Sequence, residues 1–218
     1  MPSLPRHRGR LAAGVALLLV GLVLLGYVGW QLVGTNWVSR RAHASGVEAL
    51  HEQWERGRDH ADVDDRRVTA VVRVPRLGDD EVPLVEGSSP EALAAGFGHV
   101  TGTAAPGAAG NVVVSGHRVT HGEPLRDMPD LEAGDRVVIE TRTATHTYVL
   151  DTAGDELSVP FTADWVLGSR PRNPDGGVEP PADAGPRLLT LVTCAELFHT
   201  DQRLVAFGHL VSSTPAPS

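Results

Sequence analysis

Cys194, His117 and Arg203 carry the side-chain types from which acyl-transfer chemistry is built, and each stands at the end of a strand-like run. Cys194, the only cysteine, follows Arg187-Leu-Leu-Thr-Leu-Val-Thr193, and Arg203 opens the run that ends at Val211. His117 follows Asn111-Val-Val-Val-Ser115 and Gly116. A thiolate is a nucleophile, an imidazole moves protons near neutral pH, and a guanidinium stabilises both a thiolate and a developing oxyanion. If the runs on either side of residues 195–202 pair as antiparallel neighbours, Cys194 and Arg203 flank one hairpin mouth, with Cα atoms about 5 Å apart. Each residue also has a plain alternative: a lone cysteine as a small buried hydrophobe, a turn histidine as polar surface, an arginine as a strand-edge charge. Residue types and spacing alone leave both readings open. A metal site is disfavoured. His117 and His121 share a face only on a helix, whereas Arg118-Val-Thr-His121-Gly reads as a turn, and no metal or other cofactor is expected.

The elements that must position these groups are strands. Val68, Ala70, Val72 and Val74 alternate with Thr69, Val71 and Arg73, and Pro75 closes the run. Further strand-like runs cover 81–85, 111–115, 136–141, 145–152, 187–193 and 203–211, separated by Gly- and Pro-rich breakers. From Val68 on, helical signals are confined to Pro90–Ala95, with Ser89 as N-cap, and a turn near Glu123–Met128. Seven or eight short strands over about 145 residues indicate an all-β barrel or sandwich.

Composition narrows the partners. The chain carries 19 basic against 27 acidic residues, a formal charge of −8, which argues against nucleic acid. All the basic side chains are Arg, so no side-chain amine is available. One cysteine excludes an intramolecular disulfide. Residues 11–33 are free of charge, and at about 1.5 Å per residue they span a hydrocarbon core of roughly 30 Å. Arg6, Arg8 and Arg10 precede this span and put a short tail, residues 1–10, on the cytoplasmic side. A cleaved signal peptide is the competing reading, but the Ala42-His43-Ala44 triplet lies beyond a run already too long for one. A retained single-pass anchor in the cell membrane is therefore expected, with the remainder outside. Residues 34–67 read as an extracellular stalk, where Val47, Leu50 and Trp54 suggest a short amphipathic helix before a charged linker. The globular domain is expected over 68–211 and a disordered tail over 212–218.

The string Thr190-Leu-Val-Thr-Cys194 resembles the TLxTC motif of sortases, and Arg203 follows nine residues later. The stretch from Asn111 through Gly116 to His117 resembles the sortase strand that ends in the catalytic histidine. Gly122-Glu-Pro-Leu-Arg126, Leu131-Glu-Ala-Gly-Asp135, Val74-Pro-Arg-Leu77 and Gly102-Thr103 follow the family's order. The resemblance covers roughly 68–211 and is nearest to class E sortases of high-GC Gram-positive actinobacteria. It implies a closed eight-stranded sortase-type β-barrel with short helices, preceded by one N-terminal transmembrane helix. It also implies a cysteine transpeptidase that cuts a C-terminal sorting signal of LAxTG or LPxTG type between Thr and Gly. Cys194 would form the thioacyl-enzyme, His117 would protonate the leaving amine and deprotonate the incoming one, and Arg203 would stabilise the oxyanion. The partners implied are secreted proteins bearing the signal and the amine of a lipid II-type peptidoglycan precursor. Thr193, His121, Trp165 and Ser115 are the expected substrate-contacting residues, with Trp165, Val166 and Leu167 as an apolar wall or as ordinary core.

Two departures from the class E pattern bear on specificity and rate. Ala195-Glu196 stands where His or Asn followed by Pro is common, and His121 stands where Tyr is common. Glu196 places negative charge beside the thiol. With ordinary values near 8.5 for a thiol and 6.5 for an imidazole, the thiolate–imidazolium pair is about one molecule in a hundred near pH 7.5. A slow enzyme with a bell-shaped pH profile is expected. The alternative is a non-catalytic or purely hydrolytic barrel that binds sorting-signal or wall peptides.

Overall fold

The computed structural model describes residues 6–30, 35–118, 122–193 and 201–216. Helix α1 (Arg6–Gly29) contains a span, Leu11–Gly29, long and apolar enough to cross a membrane, and none of that span is buried against the rest of the chain. Helix α2 (Thr35–Glu55) and the short α3 (Pro90–Ala94) accompany ten strands. The strands are β1 (Ala61–Val63), β2 (Arg66–Arg73), β3 (Val82–Glu86), β4 (Phe97–His99) and β5 (Gly110–Gly116). They continue with β6 (Arg136–Glu140), β7 (Ala144–Leu150), β8 (Leu157–Pro160), β9 (Arg187–Thr193) and β10 (Gln202–Pro215).

Neighbouring strands run in the order β2-β3-β4-β5-β9-β10-β7-β6, and pairing of β6 back onto β2 closes the ring. The result is the closed eight-stranded barrel, with β1 and β8 hydrogen-bonded outside it to β2 and β10. Most contacts are antiparallel, but β3–β4 and β5–β9 are parallel. Inward positions such as Val72, Leu84, Val114, Ile139, Leu189 and Leu191 fill the lumen. A second apolar layer lies on the other face of β9 and β10, where Val192, Val205 and Phe207 meet Val166 from the turn Asp164–Leu167. Burial on both faces explains why Arg187–Thr193 reads as an almost unbroken apolar run.

Tyr148 is completely buried in the lumen, and its hydroxyl accepts the Gly107 amide at 2.7 Å. Burial, the main cause, holds its phenol above the ordinary value, so the group stays neutral. Tyr148→Phe orphans that amide, and an unmet partly buried donor costs about 1–3 kcal/mol. A lower urea midpoint with an unchanged m-value is the expected result.

Three short elements lie where no strand was read from the sequence. β4 is Phe-Gly-His directly after Gly96, β8 ends in proline, and β1 lies inside the charged run expected as linker. The segment read as a stalk is also different in kind. α2 extends to 21 residues and buries Val47 and Leu50 against Ala61, Val68, Val85 and Ala92. Apolar residues three apart give the helix one sticky stripe, and the outer faces of β1–β3 complete it. At the other end, β10 continues through Ser212–Pro215, pairing with Ala144–Thr147 of β7 where a tail was expected. Backbone hydrogen bonds to β7 hold this polar stretch in place of apolar burial.

Candidate active site

The site is built at the ends of three neighbouring strands. β5 and β9 run parallel in a register that pairs Ser115 with Val192 and Gly116 with Thr193. Both strands therefore end level, and His117 leaves the sheet directly after Gly116. β10 lies antiparallel on the far side of β9, with Val205 opposite Val192. The Leu204 amide donates to Thr193 Oγ1 at 3.0 Å, which ties the start of β10 to the end of β9. Arg203, the next residue outward, pairs across β8 with Val159. Along β10, Arg203 alternates in phase with Val205 and Phe207 of the outer layer, so it belongs to the barrel's outer face.

The guanidinium of Arg203 lies over the Phe161 ring, 5.5 Å from its centroid, and its Nε is buried with no hydrogen-bond partner among the described residues. The His117 carbonyl accepts the Leu125 amide at 3.0 Å, and Leu125 itself is completely buried in the core. Thr193 is buried, and its hydroxyl accepts from Leu204 and donates to none of the described residues, so its proton remains able to donate. Ser115 is buried too, but its hydroxyl donates to Gly98 O at 3.1 Å and serves to fasten β5 to β4. Trp165 is half-buried, tilted against Phe207 at 5.9 Å, so much of the expected apolar wall is packing for the outer layer. Cys194 and His121 lie outside the described residues; Cys194 follows Thr193 by one peptide bond.

The model of the sortase domain family matches residues 72–211, most of the barrel. The chain belongs to the sortase family. Sortase SrtE1 of Streptomyces coelicolor is 33% identical over 215 residues, a match that spans 94% of this chain but 58% of that protein. The structure of sortase E from Streptomyces avermitilis is 38% identical with a TM-score of 0.58, over 68% of this chain and 90% of that one. Sortase E1 from Streptomyces coelicolor, solved with a tripeptide in the active site, is 33% identical with a TM-score of 0.55, over 67% and 89% of the two chains.

Two features of this sortase barrel escaped the sequence reading. Asn111, completely buried, donates through Nδ2 to the carbonyls of Val166 and Gly168 at 3.1 and 3.0 Å and accepts from Thr190 Oγ1 at 2.9 Å. This pair of polar side chains pins the Trp165 turn onto β5 and β9. In the sequence both sit within apolar strand runs, and a buried polar residue there is the available signal. The second feature is His43 of α2, buried against the segment that follows His117. It stands in the span 34–67, where the sequence indicates a stalk and gives no sign of contact with the barrel.

Proposed function

We propose that this chain is a membrane-anchored cysteine transpeptidase of the cell surface, cutting a sorting signal between Thr and Gly and passing the acyl part to a cell-wall amine. The observation that carries the proposal is the level ending of parallel β5 and β9 at Gly116 and Thr193, with Arg203 one residue outward of Leu204. The residues that follow those two strand ends are His117 and Cys194, which gives nucleophile, acid–base group and guanidinium a common origin. The chain covers 58% of the length of SrtE1, and its family membership supports the activity at the level of class. A tripeptide in the active site of the Streptomyces coelicolor enzyme supports peptide as substrate. The apolar span Leu11–Gly29, with three arginines before it, supports a single-pass anchor with the barrel outside the cell.

In this mechanism the Cys194 thiolate attacks the Thr carbonyl carbon and forms a tetrahedral oxyanion, which Arg203 and the Thr193 hydroxyl stabilise by donating to it. The C–N bond breaks as His117 gives its proton to the departing Gly nitrogen, leaving a thioester on sulfur. An incoming amine attacks the thioester, loses a proton to His117, and the C–S bond breaks to release the transferred product and restore the thiolate. The ion pair is regenerated, so no net proton is consumed.

Mass spectrometry of the full chain mixed with an LAxTG or LPxTG peptide tests the reading. A thioacyl adduct on Cys194 ending at Thr, discharged to an amide product when a peptidoglycan-type amine is added, is the expected result. Discharge to free acid irrespective of amine means hydrolysis only; an intact peptide and unmodified Cys194 overturn the proposal.

A further inference from the structure

His43 sits on the inner side of α2 and is 6% exposed. Its ring lies against Gly122: a Cβ added to that glycine would meet His43 Cε1 at 2.5 Å and Nδ1 at 3.2 Å. Gly122 has a φ of +83°, a conformation that most side chains avoid, so both the space and the backbone angle call for glycine. This glycine stands three residues before Leu125, whose amide donates to the His117 carbonyl. A cleft of about 330 Å³ opens beside the contact, walled by α2, the turn before β3 and residues 122–127. No described residue meets His43 Nε2, so packing, not a hydrogen bond from that nitrogen, holds the ring there. The helix that carries it starts at Thr35, with only residues 30–34 between it and the end of α1, and it touches Pro83 of β3 through Gly46.

We propose that His43 is a positioning residue for the reaction: its ring, wedged under Gly122, fixes the segment that presents His117 for proton transfer. Helix α2 is then a working part of the enzyme, reaching from the membrane anchor to the acid–base group. The proposal rests on the transpeptidase reading for the role of His117, but the contact itself can be read independently. Loss of the ring leaves donor peptide binding intact and misplaces the proton donor, since a shift of about 1 Å in a catalytic group costs up to about 10²-fold in rate.

The test uses the full chain in detergent micelles with His43→Ala and His43→Phe. Replacing His43 by Ala is expected to lower kcat about tenfold with KM for the sorting peptide within twofold. Hydrogen exchange at the Leu125 amide should quicken about tenfold, while exchange at the Ala206 amide in β10 stays unchanged. His43→Phe keeps the ring shape without the orphaned nitrogen and should return both readings to within about twofold of the parent. Unchanged exchange at Leu125 in His43→Ala overturns the proposal, as does equal quickening at Leu125 and Ala206, which marks general loosening. A parent chain that cleaves no Thr–Gly peptide would remove the transpeptidase reading, and the exchange rates would then decide the His43 contact by themselves.

Discussion

Cys194→Ala is expected to remove peptide cleavage by about 10⁴-fold or more, since loss of the nucleophile deletes the covalent route altogether. Arg203→Lys is expected to cost roughly 10²–10³-fold, the range for loss of one oxyanion donor, while the unfolding free energy from urea titration stays within about 1 kcal/mol of the parent. The separation of rate from stability follows from the setting of Arg203. Its guanidinium lies over Phe161 and its buried Nε finds no partner among the described residues, so that nitrogen contributes no hydrogen bond to the fold. A lysine keeps the charge but loses the planar fork and its stacking on the ring, and places a single ammonium where several directed donors were needed. Steady-state rates with a Thr–Gly peptide, measured beside urea unfolding, check both arms. A lysine variant with parental kcat would show that charge alone suffices. One whose rate loss tracks its unfolded fraction would assign Arg203 to the fold.

Parts of this arrangement were readable in the sequence because their physical causes are local. Period-two alternation marks the strands that bury one face, and Ser89 caps α3 as its position suggested, with Oγ accepting the Ala92 amide at 3.3 Å. The candidates His117 and Cys194 could be picked from the sequence because each follows a motif string that forms β5 or β9, although nothing in those strings says that the two strands are parallel neighbours. What stayed hidden depends on partners distant in sequence. β4 has three residues, and it exists because β3 and β5 offer their edges on either side. The docking of α2 needs the outer faces of β1–β3, and Val47 and Leu50 on their own fit a free amphipathic helix equally well. Asn111 and Thr190 look out of place in apolar runs until the carbonyls of the Trp165 turn are brought over them.

Lowering the pH from 7 to 5 is expected to destabilise the parent chain by about 2 kcal/mol more than His43→Phe. Burial, the dominant influence, lowers the His43 pKa from 6.5 to about 4; Asp80 opposes the shift and Arg40 adds to it. In the unfolded chain the imidazole takes up a proton as the pH falls through about 6.5, whereas the folded chain refuses it until about pH 4. Between those values the unfolded state binds more protons, so stability falls with falling pH; above about 6.5 the group is neutral in both states and the effect vanishes. The charged groups around the adjoining cleft are Arg40 on α2, Asp80 and Glu81 before β3, and Glu123, Arg126 and Asp127 after His117. The same charged groups are present in both chains, and phenylalanine removes only the imidazole. Other shifted groups cancel in the same comparison, including Asp151, which burial pushes upward and which gives the opposite sign. Urea titrations of both chains at pH 7 and pH 5 measure the difference, and equal losses would mean that the His43 ring accepts its proton without leaving the fold. A loss confined to the parent would show instead that acid acts at the seam between α2 and the His117 segment, the contact on which the positioning of the acid–base group depends.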